Sequence, residues 1–307
     1  MTDQPASQSE RSAASGESPA RRRVVSGRAA LLFAITLAAA WAFLRLDLGL
    51  VDLLPSGPSL RMAMDFFSRA LSPALTYESP ETPAGAAPLL WKAAQAAANT
   101  VIFASAAMSL ALPLGIVLGL LATSAWWTED LAGGKSQRQR FIGRTLRPLV
   151  YGGTRILIAV MRSIHELLWA VLFLAAFGLT HLSAVIALAI PFSGILAKIF
   201  SEMIDEAPRD AAHALRGAGA TPSQVFLFGL LPRALPDMTA YSFYRFECAL
   251  RSSAVLGFFG YPTLGFYLAA SFENLYYGEV WTYLYTLFFL IVAVEWWSGV
   301  LRRRFVV

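Results

Sequence analysis

The chain of 307 residues has one cysteine, three histidines and only 15% charged residues, and each shortage excludes something. Cys248, alone in an apolar segment, leaves no disulfide framework and no metal–thiolate cluster. A membrane-embedded phosphatase or transferase would want His, Asp or Ser clustered near one interface. His165, His181 and His213 are instead scattered between the two faces of the expected topology. A complete phosphate-binding P-loop is also missing. Gly134-Lys135-Ser136 has the tail of one, but the motif needs glycine at position 129, where Glu129 stands. Any nucleotide chemistry must therefore come from a partner. The formal net charge of +5 does not read as a nucleic-acid surface, because in an apolar chain the placement of Lys and Arg matters more than their sum.

What the chain has in excess is apolar sequence. Hydrophobic residues make up 56% of it, against roughly 45–50% in soluble proteins, and the charged share falls below the usual ~25%. Mean hydropathy is +0.54. These values predict an all-α integral membrane protein of about six transmembrane helices, one membrane domain over residues 27–307 and no large soluble domain.

Residues 1–26 are rich in Ser, Ala, Gln and Glu, end in Arg21, Arg22 and Arg23, and are expected to be disordered and cytoplasmic. The apolar run from Gly27 to Leu44, about 18 residues against the roughly 20 that cross the hydrocarbon core, is expected to be an uncleaved first span. It continues through Trp41 past the small residues Ala38 to Ala40, which is long for a signal peptide. Asp47 to Pro88 reads as an external loop with a short amphipathic helix over Leu60 to Leu71. Further spans are expected over 98–122, 164–179, 184–200, 237–259 and 281–301, the third preceded by a helix from Arg155 to Arg162. The second contains Pro113 and a Gly115-x-x-x-Gly119 spacing that lets helices approach closely. Trp126 to Tyr151 is a basic connection, with Lys135, Arg138, Arg140, Arg144 and Arg147, and belongs in the cytoplasm. Tyr261 to Val280 has Glu273 and Glu279 without Lys or Arg and belongs outside. Both termini then lie inside.

Between the fourth and fifth spans, His213 to Pro232 reads HALRGAGATPSQVFLFGLLP, with local signals of helix, break, helix. Asp210 to Arg216 has no breaker, and Gly217 and Gly219 open the backbone to left-handed conformations. Thr221, Pro222 and Gln224 supply an N-cap, a proline at the first helical position and a capping box. This second helix is expected to run until Pro232 stops it. Two short helices on a glycine hinge make a rigid knob outside the bilayer, in a loop over residues 201–233.

Charges within the spans are few, and a lone one at a helix centre costs about 2.5–3.5 kcal/mol on insertion scales. The fifth span carries Arg245, Glu247 and Arg251, and the third region carries Arg162 and Glu166. Glu247 with Arg251, and Arg162 with Glu166, stand at i, i+4, which predicts two ion pairs along helix faces. Two readings stay open: buried pairs that fix helix packing, or the lining of a path that favours a small anion.

The knob resembles the EAA loop of ABC importer permeases, in which Glu-Ala-Ala is followed by a glycine six residues after the Glu and later by Leu-Pro. Ala214, Gly219, Leu231 and Pro232 match, while His213 stands at the Glu position and Leu215 at the second Ala. From Arg155 to Arg304 the chain is similar to the phosphonate permease (PhnE-like) group of the type I importers. The matching residues are Arg162-Ser163-Ile164 with Glu166, ALRGAGATPSQVFLFGLLP, and YSFYRFE from Tyr241 to Glu247 with Arg251-Ser252 and Gly257 behind it. Where that group has a G-A-G-G-I-G stretch, this chain has Gly260-Tyr261-Pro262-Thr263-Leu264-Gly265, so Pro262 and Thr263 replace the inner glycines.

The resemblance implies the type I permease fold, with an ATPase-coupling loop at His213, Ala214, Leu215, Gly217, Gly219, Thr221, Leu231 and Pro232. It implies a path or buried charge network of Arg162, Glu166, Arg245, Glu247 and Arg251, and an outer-mouth gate at Gly257, Gly260, Pro262, Thr263 and Gly265. The implied partners are two ABC ATPase subunits, a second permease copy or paralogue, a periplasmic or lipid-anchored solute-binding protein and membrane lipid. ATP and Mg would sit in the ATPase, with no cofactor and no metal in this chain. The implied function is import of a small anion, a phosphonate or related phosphorus oxyanion, across the bacterial inner membrane. Another solute, a membrane-embedded enzyme and a channel are the alternatives, and co-purification with an ATPase separates the importer from the last two.

Overall fold

The computed structural model describes residues 27–46, 57–80, 85–125 and 137–305, the side chains of 137–147, 304 and 305 excepted. The expectations for residues 1–26 and for Gly134-Lys135-Ser136 lie outside them. Among the described residues all regular secondary structure is helical. The chain forms two compact units, residues 1–64 and 65–307.

The first unit contains α1 (Gly27–Arg45), an apolar helix of 19 residues with none of them buried. Helix α2 (Gly57–Ser68) begins in the first unit and ends in the second, where a single 3₁₀ turn, Arg69–Leu71, follows it. The short helix expected between Leu60 and Leu71 is thus present.

The second unit is built on α3 (Leu89–Ala122) and α6 (His181–Glu206), which pack along their length. Small residues explain the close approach. A Cβ added at Gly115 would sit 2.7 Å from Leu196 Cβ, and one at Gly119 would sit 3.1 Å from the Ala197 carbonyl oxygen. Ala104, Ala107 and Ala111 of α3 share a core with Ala187, Leu188 and Phe200 of α6. In lipid, where the surroundings are as apolar as the side chains, such packing rather than water exclusion holds helices together.

Helices α4 (Gln137–Ser163) and α5 (Glu166–Phe177) correct the expected third span. The apolar stretch over 164–179 is not one crossing helix: α5 has 12 residues and bends 89° away from α4. At 1.5 Å per residue it reaches about 18 Å, short of the roughly 30 Å hydrocarbon core. The break is local chemistry. His165 leaves the helical conformation and caps α5, its Nδ1 accepting the Leu167 N–H at 3.3 Å. The longer arm is α4, which also takes in residues 137–151 expected as connection.

After α6 come α7 (Asp210–Gly217), α8 (Pro222–Gln224), a π-helical segment (Val225–Leu230) and α9 (Leu231–Val255). A 3₁₀ turn (Leu256–Phe259), α10 (Leu264–Glu273) and α11 (Tyr277–Phe305) complete the chain. Helices α1, α3, α6 and α11 are long and apolar enough to cross a membrane, and two bent pairs, α4 with α5 and α8–α9 with α10, raise the number to as many as six if each pair is one broken span. The expected number of about six is the upper end of this range, while α3, α6 and α11 run past the stretches assigned to them at one end or both.

Candidate functional site

The knob is built as its sequence demands, with two corrections. Helix α7 ends in a Schellman motif: Ala220 N–H donates to the Leu215 carbonyl and Gly219 N–H to the Arg216 carbonyl, both at 3.0 Å. Only Gly219, at φ +83°, is left-handed, whereas Gly217 is the last helical residue of α7 and needs no special backbone freedom. Gln224 Oε1 accepts the Thr221 N–H at 2.8 Å, its half of the capping box. The second correction concerns Pro232, which does not stop the helix. The backbone runs from Pro222 through the π segment into α9, with Leu231 N–H reaching back five residues to the Phe226 carbonyl. The widened π turn accommodates the proline ring and its missing donor without ending the helix.

The knob sits on that π segment by backbone contact. A Cβ on Gly229 would lie 3.1 Å from Ala212 Cα and 3.3 Å from Leu215 Cδ1. Ala212 is buried and Leu215 half-buried, so His213, Ala214, Gly217 and Ala218 form the exposed side. Thr221 is exposed as well, with Leu231 half-buried at the foot of the knob and Pro232 exposed beside it. Beside the knob a cavity of about 570 Å³ opens between the α6–α7 corner, α9 and α11, lined by Glu206, Arg233, Asp237, Tyr241 and Arg302 among others.

The structure rearranges both expected ion pairs. Glu247, 6% exposed, pairs with Arg302 of α11 at 3.4 Å and not with Arg251, which is exposed and has no ion pair among the described residues. Burial selects the partner: Glu247 faces the α9–α11 contact, where Arg302 reaches it. Arg162 and Glu166 are not paired either, because the α4–α5 break falls between them and the i, i+4 geometry does not exist there. Glu166 accepts the Ser252 hydroxyl at 2.9 Å and lies 3.7 Å from the His165 ring, which joins α5 to α9, while Arg162 is exposed. Arg245 donates from Nε to the Tyr241 hydroxyl at 2.8 Å, with its guanidinium 5.3 and 5.7 Å from the Tyr241 and Tyr244 rings.

The glycine and proline residues expected at the outer mouth form an interlocked junction between α9, α10 and α3. A Cβ on Gly257 would lie 2.0 Å from the Phe266 nitrogen, and one on Gly265 would lie 2.2 Å from the Ala254 carbonyl oxygen. Thr263, fully buried, donates to the Ala254 carbonyl at 3.0 Å, and the Pro262 carbonyl accepts from Asn99 Nδ2 at 3.0 Å. Gly260 turns the chain at φ +96°. Ser253 Oγ donates to the Thr100 carbonyl at 2.7 Å, and Thr100 Oγ1 accepts the Leu264 N–H at 3.2 Å.

Sequence reasoning misses the partners that come from afar: Arg302 for Glu247, Ser252 for Glu166, Asn99 and Thr100 for the junction, and Gly229 with Ala212 for the seat of the knob. Gly229, inside the quoted loop, carried the one legible signal.

The family described as binding-protein-dependent transport system inner membrane component matches residues 140–307. The phosphite transport system permease protein PtxC of Stutzerimonas stutzeri is 40% identical over 161 residues, 52% of this chain and 58% of that protein. The phosphate-import permease protein PhnE of Mycolicibacterium smegmatis is 29% identical over 211 residues, 69% of this chain and 36% of that one. The chain thus spans little more than half of the first relative and about a third of the second. Among solved structures, the MetNI methionine ABC transporter in an inward-facing conformation aligns with a TM-score of 0.55 at 19% identity, over 70% of this chain and 96% of that chain. At that identity the likeness is one of fold, and it is the fold of an ABC importer permease. Since the family match extends over more than half of the chain, from within α4 to the last residue, and takes in both the knob and the charged helices, the chain belongs to the family of binding-protein-dependent transport system inner membrane components, which are transporter permease subunits and not enzymes.

Proposed function

We propose that this chain is the membrane-spanning permease subunit of an ATP-driven importer for a small phosphorus oxyanion, phosphite or a phosphonate, handed over by a solute-binding protein. The observation that carries the importer reading is the knob: a rigid α7–α8 corner whose small-residue side, Ala214, Gly217 and Ala218, is exposed while its other side is seated on the π segment. Such a surface fits the groove of an ATPase subunit, one per permease copy, with ATP and Mg held there. His213, exposed on α7, replaces the carboxylate of the EAA pattern in that contact.

The names of the relatives, phosphite and phosphate permeases, support the substrate class. So does the chemistry of α4 and α9. Arg162 and Arg251 are exposed on helices that belong to membrane-crossing segments, where lone charges cost about 2.5–3.5 kcal/mol on insertion scales. An aqueous anion path shared with a second permease copy removes that cost. Glu247–Arg302 and Glu166–Ser252 then hold α9, which carries Arg251, against α11 and α5, and Gly257, Gly260, Pro262, Thr263 and Gly265 brace the outer mouth against the bundle. The protein is placed in the bacterial inner membrane with both termini in the cytoplasm, on the side of the knob.

The test is uptake into proteoliposomes holding this chain with its ATPase and binding protein, with phosphite, an alkylphosphonate, phosphate and sulfate offered in parallel. ATP-dependent accumulation of one of the first three is the expected result. ATPase activity with uptake of sulfate alone, or of none, overturns the substrate class, and absence of any association with an ATPase overturns the importer reading.

A further inference from the structure

One carboxylate ties together the end of α6, the end of α3 and the middle of α4 just before the knob. Asp205 lies in the last turn of α6, five residues ahead of the start of α7. Its Oδ1 accepts the Ala125 N–H at 2.9 Å and the Thr123 hydroxyl, and its Oδ2 accepts the Ser124 N–H at 3.0 Å. These donors form the first residues beyond the end of α3, and Thr123 and Ala125 are buried. The same carboxylate lies 3.9 Å from Arg155 Nη2 of α4. Arg155 also donates to the Ala122 carbonyl, the last of α3, at 3.3 Å and has its guanidinium 4.9 Å from the Tyr151 ring. The Arg155 cation is the favoured charge at the carbonyl end of α3, and the Asp205 carboxylate takes up the N–H groups of the turn that follows by charge-assisted hydrogen bonds.

The placement matters because α7 packs chiefly on the π segment that leads into α9. Motion of the knob therefore has a direct route into α9 and through it into α3, whereas α4 packs on α3 and α6 and meets it through them. Building on the reading of this chain as an importer permease, we propose that Asp205 is a positioning residue for transport: it makes the end of α3 and the middle of α4 move as one body with α6 and the knob, so that ATPase closure reaches the helices that line the path. A bidentate anion on two consecutive N–H groups, a hydroxyl and a guanidinium is a directional link, added to the close packing of small residues along the rest of α3 and α6.

The test compares wild type with Asp205→Asn and Thr123→Val in proteoliposomes with the ATPase and binding protein, measuring ATP hydrolysis and solute uptake in the same vesicles. The amide of Asp205→Asn keeps one acceptor but loses the ion pair and the second acceptor. We expect its ATPase rate to stay within about 2-fold of wild type while the solute moved per ATP falls by about 10-fold, with Thr123→Val falling less in the same direction. An unchanged ratio in both variants overturns the proposal. So does equal loss of hydrolysis and uptake in Asp205→Asn with Thr123→Val at the wild-type ratio, because that pattern is a folding role alone. Absence of any association between the wild-type chain and an ATPase overturns the importer reading itself, which keeps the two failures apart.

Discussion

Glu279 accepts the backbone N–H of Glu78 at 2.8 Å, and Glu78 in return accepts the N–H of Gly278, the residue before Glu279, at 3.2 Å. This exchange clips the segment ahead of α3 onto the corner between α10 and α11, 201 residues away in the chain. Glu279 is 5% exposed and also takes the Ser271 hydroxyl at 2.9 Å, while Arg69 stands 3.7 Å from Glu78. Glu279→Ala leaves a backbone donor and a buried hydroxyl without acceptors, at about 1–3 kcal/mol for each buried group stranded. The expected result is a lower unfolding temperature in detergent and earlier protease cleavage between residues 72 and 88. Wild-type values for both would mean the clip contributes nothing.

A second prediction separates the observed ion pair from the one that spacing suggests. Removing one partner of a buried pair costs about 3–5 kcal/mol, and the partial exposure of Arg302 places Arg302→Ala toward the lower end. Arg251→Ala, at an exposed position without an ion pair among the described residues, should change stability by less than about 0.5 kcal/mol. The double variant Glu247→Gln with Arg302→Met should recover most of the loss. Chemical denaturation of wild type, Glu247→Gln, Arg302→Met and the double variant measures the coupling, and additive single losses would exclude it.

The two glycines of the knob should behave differently. Gly219 needs its positive φ, so Gly219→Val stores about 1–2 kcal/mol of backbone strain at the hinge and should abolish uptake while the protein still reaches the membrane. A Cβ at Gly217 meets nothing within 4 Å, and Gly217→Ala should transport normally. Uptake assays on membranes with matched protein levels decide; a transport-competent Gly219→Val would remove the hinge from the account.

At the outer junction there is no room for even a methyl group. Gly257→Ala and Gly265→Ala each drive a Cβ to within 2.0 and 2.2 Å of backbone atoms, which must separate α9 from α10. Size-exclusion chromatography of the solubilised protein should show loss of the monodisperse species for both, in contrast to Gly299→Ala, where nothing lies within 4 Å.

By itself the sequence determined what depends on neighbours along the chain. Apolar run lengths set the number of spans, and the glycine, threonine, proline and glutamine of the knob set a helix, a left-handed turn and a capped restart, because caps and turns are satisfied within a few residues. Gly115 and Gly119 announced a close helix contact, although not that α6 makes it. Spacing failed where a residue's partner is chosen by burial. Glu247 and Arg162 each had an opposite charge four residues on, yet a buried carboxylate pairs with whatever cation shares its buried face, and a helix break cancels the spacing altogether. Only the tertiary structure decided that Pro232 is carried through by a π turn and that the apolar stretch after Ile164 is a bent arm. Only it, too, brought Asp205 to the end of α3 and Glu78 to Glu279, since a hydrogen bond between distant residues exists only once packing has placed donor and acceptor within reach.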